Sequence, residues 1–331
     1  MIAKPSTNAV AVGIIGCGEV AAVHAANLVA LGARIVACCD VDLDRAEAFR
    51  KKFNAETATH DARIVLRDHR IEAVYICTHH DSHLPLALVA CDAGKAIFME
   101  KPLALTISEC EEICTAVERS GVPFFMGFKM RFYPMVDRAK SFVPAPKILA
   151  AQMMDTRWAD DFWANDPRRG GGNVLSEGVH TFDLLCHLAE AKPMRIYAEG
   201  KNFHHPKNPI IDGLVATIAF DNGAVASVTQ GDLGHPALVS KLSFQLFDGV
   251  RSAHLFNRLK SAVLYDGEES QTWHDPEEIG YYEETRLFLD CIRDGTPSPC
   301  NHIAGWRATM IAQKAFDAVA TGRPQDLSGL W

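Results

Sequence analysis

The sequence predicts an α/β chain in two parts: a doubly wound parallel sheet over residues 1–127, then an α+β domain with a mainly antiparallel sheet over 128–331. Three observations carry this. Apolar strand-like runs alternate with helical patterns through the first 125 residues, as a parallel sheet covered by helices on both faces requires. From about Phe128 strand-like runs follow one another directly. A length of 331 residues exceeds one comfortable core, so about two domains are expected.

The elements follow in order. "AVAVGIIGCG" is a strand entering a glycine turn, and "EVAAVHAANLVAL" continues it with helical periodicity. "RIVACCD" is a second strand, followed by the helix "LDRAEAFRKKF". "AVYICT" and "AIFME" are short buried strands separated by the helix "LPLALVACDAG". In the second part, "LVATIAF" and "AVASVTQG" flank Asp221-Asn222-Gly223, a hairpin signal. A final helix over about 303–320 is free to pack on either domain.

Composition narrows the function classes. Hydrophobic residues make up 48% and charged ones 22%, an ordinary globular balance. A net charge of −8 without a Lys/Arg run argues against nucleic acid. No apolar stretch approaches the ~18 residues of a membrane span. The opening "MIAKPSTNAV" shows no signal pattern, so a cytoplasmic location is expected. Ten cysteines without CxxC spacing read as small buried thiols, Cys110 and Cys114 among them.

The first turn carries chemistry. Gly16-x-Gly18-x-x-Ala21 lies directly after a strand and before a helix that starts at Glu19 and Val20. The first glycine permits a tight turn, the second lets backbone approach a pyrophosphate, and the small third residue allows close packing, with the helix N-terminus facing the phosphates. Asp40 ends the second strand 22 residues after Gly18. A carboxylate there accepts from the adenosine ribose diol and repels a 2′-phosphate, so NAD is expected over NADP. In "FMEKPLALT" a strand ends in Glu100-Lys101-Pro102, at the sheet edge where ligands bind. A half-buried lysine there can donate to a substrate oxygen or act as acid or base. The residue before a proline is pushed toward extended backbone, which would hold Lys101 at the strand end.

"GIIGCGEVAAVH", "CTHHDSHLPLALVACDAGKAIFMEKPLALT" and "GGGNVLSEGVHTFDLL", in this order and at these separations, strongly resemble the Gfo/Idh/MocA family of oxidoreductases. "GWRATMIAQKAFDAVATGRPQDL" continues the likeness weakly to the end. The resemblance implies a Rossmann domain joined to a domain on a large open sheet that commonly makes dimer contacts. It implies oxidation or reduction of a hydroxyl or ketone on a sugar, inositol or related polyol. Glu100 and Lys101 then match the family's Glu-Lys-Pro motif, with Lys101 reaching nicotinamide ribose and substrate, while Thr78, His80 and His83 match a loop passing the cofactor. "HHDSH" lacks a further ligand set, and no metal is expected.

The family places a histidine at His180, where it takes the hydroxyl proton; imidazole suits the task because its pKa lies near neutrality. The glycines at 170–172 would let backbone pass close to cofactor or substrate. Asp183, three residues on, shares a helix face with His180 and could orient the ring or touch substrate. One departure stands out. Many relatives carry Asp four residues before the histidine, where this chain has Ser176, with Glu177 rotated about 100° further round a helix. Serine supplies no charge, so Lys101 becomes the principal acid/base with His180 secondary, unless Glu177 turns inward. Lys129 and Arg131 would line the substrate cleft, or Arg131 would form an ion pair. Trp163 and Arg168 fall where the family has a cofactor loop, and His204-His205 and His235-Pro236 fall in loops, His235 as a substrate contact.

The leading expectation is therefore an NAD-dependent dehydrogenase of a carbohydrate-like alcohol, working as a homodimer or homotetramer. A retained-NAD enzyme using transient oxidation for cleavage or elimination is the alternative, and a non-catalytic NAD sensor is the third.

Overall fold

The computed structural model describes residues 9–235, 240–275 and 280–330. Most of the opening stretch scanned for a signal, and Pro236, lie outside them. Packing divides the chain into two units: Met1–Leu103 with Ser108–Gly127 and Tyr281–Ile303, and Ala104–Ile107 with Phe128–Gly280 and Ala304–Trp331.

In the first unit the chain runs β1 (Ala11–Ile15), α1 (Glu19–Ala30), β2 (Arg34–Cys39), α2 (Leu43–Phe53), β3 (Thr57–Thr59), α3 (Ala62–Arg67), β4 (Ala73–Ile76), α4 (His83–Asp92), β5 (Ala96–Met99), α5 (Ile107–Ser120) and β6 (Phe124–Met126). All six strands are parallel, in the order β3-β2-β1-β4-β5-β6. β1, β4 and β5 are buried at every residue, because helices cover both faces of such a sheet. Strand order reverses between β1 and β4, which opens a crevice at their carboxyl ends. The sheet is the expected Rossmann type. α2 is closed at both ends by local chemistry: Asp42 accepts from the backbone N–H groups of Asp44 and Arg45, and Asn54 takes the left-handed conformation that ends the helix.

The second unit runs α6 (Pro134–Phe142), β7 (Ile148–Thr156), α7 (Gly172–Ser176), α8 (Gly178–Ala189), β8 (Pro193–Lys201), β9 (Gly213–Phe220), β10 (Val225–Gly234), β11 (Leu242–Phe247), β12 (Ser252–Phe256), β13 (Ser261–Tyr265) and β14 (Ser270–His274). α9 (Tyr281–Asp294) belongs to the first unit, and α10 (His302–Thr321) falls in the second from Ala304 onward, with β15 (Gln325–Asp326) after it. Nine strands form one sheet in the order β14-β13-β12-β11-β7-β10-β9-β8-β15, antiparallel except where β10 pairs with β7. The expected hairpin is present: β9 and β10 pair antiparallel, and Asn222 and Gly223 shape the turn, Gly223 at φ +83°.

Alternation sets the sheet's two faces. Leu214, Ala216, Ile218 and Phe220 of β9 and Ala226 and Val228 of β10 are buried, with α7 and α8 packed against the β10 side. On the opposite face register aligns Phe247, Ile148 and Val225 in one row across β11, β7 and β10, at 37%, 54% and 47% exposure.

Candidate active site

Gly16 leaves β1 at φ +89°, where a Cβ would stand 2.4 Å from the Cys77 carbonyl oxygen, so no other residue makes this turn without moving β4. Gly18 differs: its φ is −80° and no protein atom lies within 4 Å of a Cβ built there. Nothing in the chain itself requires glycine at 18, which fits close approach by a group from outside. Gly18 begins α1 without a side-chain cap, leaving first-turn N–H groups of Glu19 and Val20 for an anion; both residues are exposed and Ala21 is buried. Asp40 is buried at the end of β2, accepting from the Cys17 N–H at 2.9 Å and the Asp42 N–H at 3.0 Å. Its carboxylate is thus fixed against the glycine turn, with Arg45 Nη1 3.5 Å away. Residues 16–21 and Asp40 fit a dinucleotide with a free ribose diol.

Glu100 and Lys101 follow β5 at the same carboxyl edge. Lys101 is half-buried and its bond to Pro102 is cis. Glu100 Oε1 lies 2.8 Å from His24 Nε2, and Oε2 accepts from the Lys101 N–H at 3.2 Å. His24, wholly buried on α1 against Tyr75, Phe98 and Tyr281, ties the nucleotide helix to the strand end that carries Lys101. The cofactor-loop residues are structural in their contacts. His83 is buried between the Pro102 carbonyl at 2.8 Å and the Thr78 carbonyl at 3.3 Å, and burial lowers its pKa. Ser82 donates to Thr78 Oγ1 at 2.6 Å, and His80 is buried with its ring 5.8 Å from that of His83.

In the second unit the glycine run enters α7. A Cβ on Gly170 would fall 2.2 Å from Ala164 Cα, and Gly171 and Gly172 take φ +78° and +83°. Within the chain, these glycines permit close approach to Ala164, Leu175 and Ile210. His180 is buried on α8, its N–H donating to the Glu177 carbonyl at 3.0 Å and its ring 5.7 Å from Phe128. Asp183 on the same face holds Arg131 in a bidentate pair, Nε to Oδ2 at 2.7 Å and Nη2 to Oδ1 at 2.5 Å. Ser176 is buried at the end of α7, and Glu177 joins the two helices rather than sitting inside one. Its carboxylate is 3.2 Å from Lys241 Nζ, which also reaches Asp155 at 2.7 Å. Burial opposes the Lys241 charge, yet Glu177 and Asp155 outweigh it and raise the pKa. Glu177 therefore faces Lys241. Lys129 and Trp163 are half-buried, while Arg168 and His235 are exposed.

Sequence reasoning missed three supports. Gln230 accepts from Thr181 at 2.8 Å and donates to Asn173 at 2.8 Å, all buried, linking both helices to β10. Its signal was available, because alternation along "AVASVTQG" places it on the inward face with Ala226 and Val228. Lys241 and His24 carry no such mark.

Residues 10–128 match the family model described as "Oxidoreductase family, NAD-binding Rossmann fold", and residues 146–238 match the "GFO/IDH/MocA C-terminal domain". The chain is 27% identical over 334 residues to "Uncharacterized oxidoreductase YrbE" of Bacillus subtilis (strain 168), covering 96% of each. It is 30% identical over 222 residues to scyllo-inositol 2-dehydrogenase (NAD(+)) of the same strain, covering 65% of each. A levoglucosan dehydrogenase solved in complex with NADH and levoglucosan has the same fold, at TM-score 0.89 and 20% identity over 97% of this chain and 100% of that one. Among the described residues no helix is long and apolar enough to cross a membrane.

Proposed function

We propose, from the premise that this chain belongs to the Gfo/Idh/MocA family of NAD-dependent oxidoreductases, that it oxidises a secondary alcohol of a sugar, inositol or sugar derivative, or reduces the corresponding ketone. The observation that carries the reading is the shared sheet edge: the Gly16–Gly18 turn, Asp40 and Lys101 all follow carboxyl ends of strands in one parallel sheet. Gly18, the first turn of α1 and Asp40 would hold the NAD, which supplies a hydride acceptor. Lys101 takes the hydroxyl proton as the hydride leaves, or donates it to the ketone oxygen in the reductive direction. His180 hydrogen-bonds the same oxygen as the secondary group. Glu177 is engaged by Lys241 and serine supplies no charge at 176, so the principal acid/base role goes to Lys101.

The test is NADH absorbance with purified protein, excess NAD and a panel of inositols, hexoses, aminosugars and uronic acids. A rise with any of them supports the reading, and splitting the panel names the substrate. A flat trace with cofactor that co-purifies, together with an altered sugar product, would move the assignment to a retained-NAD reaction.

Two further expectations follow. Asp40→Ser removes the carboxylate but keeps Arg45 beside it, so the ratio of kcat/KM for NADP over NAD should rise by at least about tenfold, ~1.4 kcal/mol. An unmodified protein that already uses both equally would contradict the role given to Asp40. The exposed row Phe247, Ile148 and Val225 is covered by a second copy of the chain. Light scattering should then show an oligomer that Ile148→Asp shifts toward monomer with its tryptophan emission unchanged; a monomeric parent would refute this.

A further inference from the structure

We infer that His204, His205 and Asp232, residues outside the nucleotide turn and α8, form a binding site for a divalent metal of the zinc class. Their donor atoms lie within 4.8 Å of one another. His205 and Asp232 are fully buried, and His204 is the partly exposed member through which an ion would enter. His204 and His205 lie between β8 and β9, and Asp232 is on β10.

Two features of the geometry suit a metal. His204 Nε2 and Asp232 Oδ1 stand 3.2 Å apart, both buried and without the alignment of a hydrogen bond. An ion between them would give each a partner. Tetrahedral zinc, with bonds of about 2.0–2.1 Å, sets its donors about 3.3 Å apart, close to this spacing. The second feature is the His205 ring, whose Nδ1 lies 2.9 Å from Asp160 Oδ1 and whose Nε2 lies 2.9 Å from Asp232 Oδ2. Burial opposes the ring's charge, yet the Asp232 and Asp160 carboxylates raise its pKa, and a metal at Nε2 would take the place of the proton shared with Asp232. With Nε2 on a metal, Nδ1–H donates to Asp160, and the carboxylate behind the ring fixes the tautomer, as metal-bound histidines usually require.

The surroundings are built in advance. Asp212, fully buried, accepts from the backbone N–H groups of Phe203, His204 and His205 at 2.8–3.2 Å and so fixes the two rings' backbone. The Trp158 N–H donates to Asp232 Oδ2 at 2.9 Å. Asp160, Asp212 and Asp232 bring three carboxylates to the cluster, with Arg157 2.7 Å from Asp160 and Lys207 near enough to act on it. Two imidazoles and a carboxylate are a borderline donor set that selects zinc-like ions over magnesium or calcium. Such an ion would join the loop after β7, through Asp160, to β10.

The experiment uses the untagged full chain, stripped with chelator and dialysed, then titrated with Zn2+ and with Co2+. Expected are one equivalent of metal per chain and visible cobalt bands of a four-coordinate, nitrogen- and oxygen-ligated site. His204→Ala should weaken binding at least about tenfold, and Asp160→Asn about 10- to 100-fold through the lost support. His60→Ala, on the surface, should change nothing. Each variant's fold is checked by its tryptophan emission, and Asp160→Asn carries the test should His204→Ala fail to fold. No stoichiometric metal in the parent, equal affinity in both variants, or thiolate-to-cobalt charge-transfer bands would each overturn the assignment.

Discussion

Lys101→Met binds NAD with the affinity of the parent chain and turns over at least a hundredfold more slowly. The magnitude is that of losing a positioned acid/base group, about 10²–10⁴-fold. Binding survives because the groups that would hold the dinucleotide, the Gly16–Gly18 turn and Asp40, make their contacts without the lysine side chain: Asp40 is anchored by the Cys17 and Asp42 N–H groups. Methionine keeps the apolar stem and removes only the ammonium, so the Lys101 N–H continues to donate to Glu100, which His24 holds in place. His180→Asn provides the comparison. If Lys101 is the principal acid/base and His180 the secondary one, the asparagine variant loses less rate than the methionine variant. Isothermal titration with NAD and initial rates on the identified substrate decide it. Near-parental turnover in Lys101→Met would remove the lysine from the mechanism, and lost NAD binding would make it a cofactor ligand first.

The nucleotide half was legible because its chemistry is local. A glycine turn, the helix it opens and the acid at the end of the next strand lie within 25 residues, and each is set by backbone geometry that sequence spacing encodes. The hairpin at Asp221–Gly223 was readable for the same reason. The surroundings of α8 were not. Arg131 and Asp183 are 52 residues apart, and Lys241 and Glu177 are 64 apart, so the pairs depend on tertiary packing that one sequence does not fix. Glu177 was expected about 100° round a helix from Ser176; a break between α7 and α8 instead leaves it at their junction, with its carboxylate at Lys241. The glycine run was recognised as a close approach, and the neighbour that crowds Gly170 within the chain, Ala164, lies in a loop with no sequence signal. His204-His205 read only as loop residues, because 27 residues separate the second histidine from Asp232, unlike the short spacings of familiar zinc motifs.

The Arg131–Asp183 pair gives the second large effect. Both side chains are almost fully buried, at 7% and 2% exposure, and two parallel hydrogen bonds join them. Arg131→Ala leaves the Asp183 carboxylate buried without its cation, which costs about 3–5 kcal/mol. Against an ordinary domain stability of about 5–15 kcal/mol, that shifts the second unit's unfolding midpoint visibly. Tryptophan fluorescence isolates the effect, since Trp158, Trp163, Trp273 and Trp306 lie in the second unit and the first unit has no tryptophan. Arg131→Met with Asp183→Leu removes both charges together and recovers most of the midpoint, because a buried pair replaced by apolar groups of similar volume is often neutral or better. Kinetics of the double variant then separates two roles. Asp183 stands one helical turn beyond His180, so if the pair only positions α8, restored stability brings restored kcat with KM unchanged. If either side chain binds substrate, the midpoint returns but KM stays raised. An Arg131→Ala midpoint equal to that of the parent would show that the pair is not what holds α8 in place.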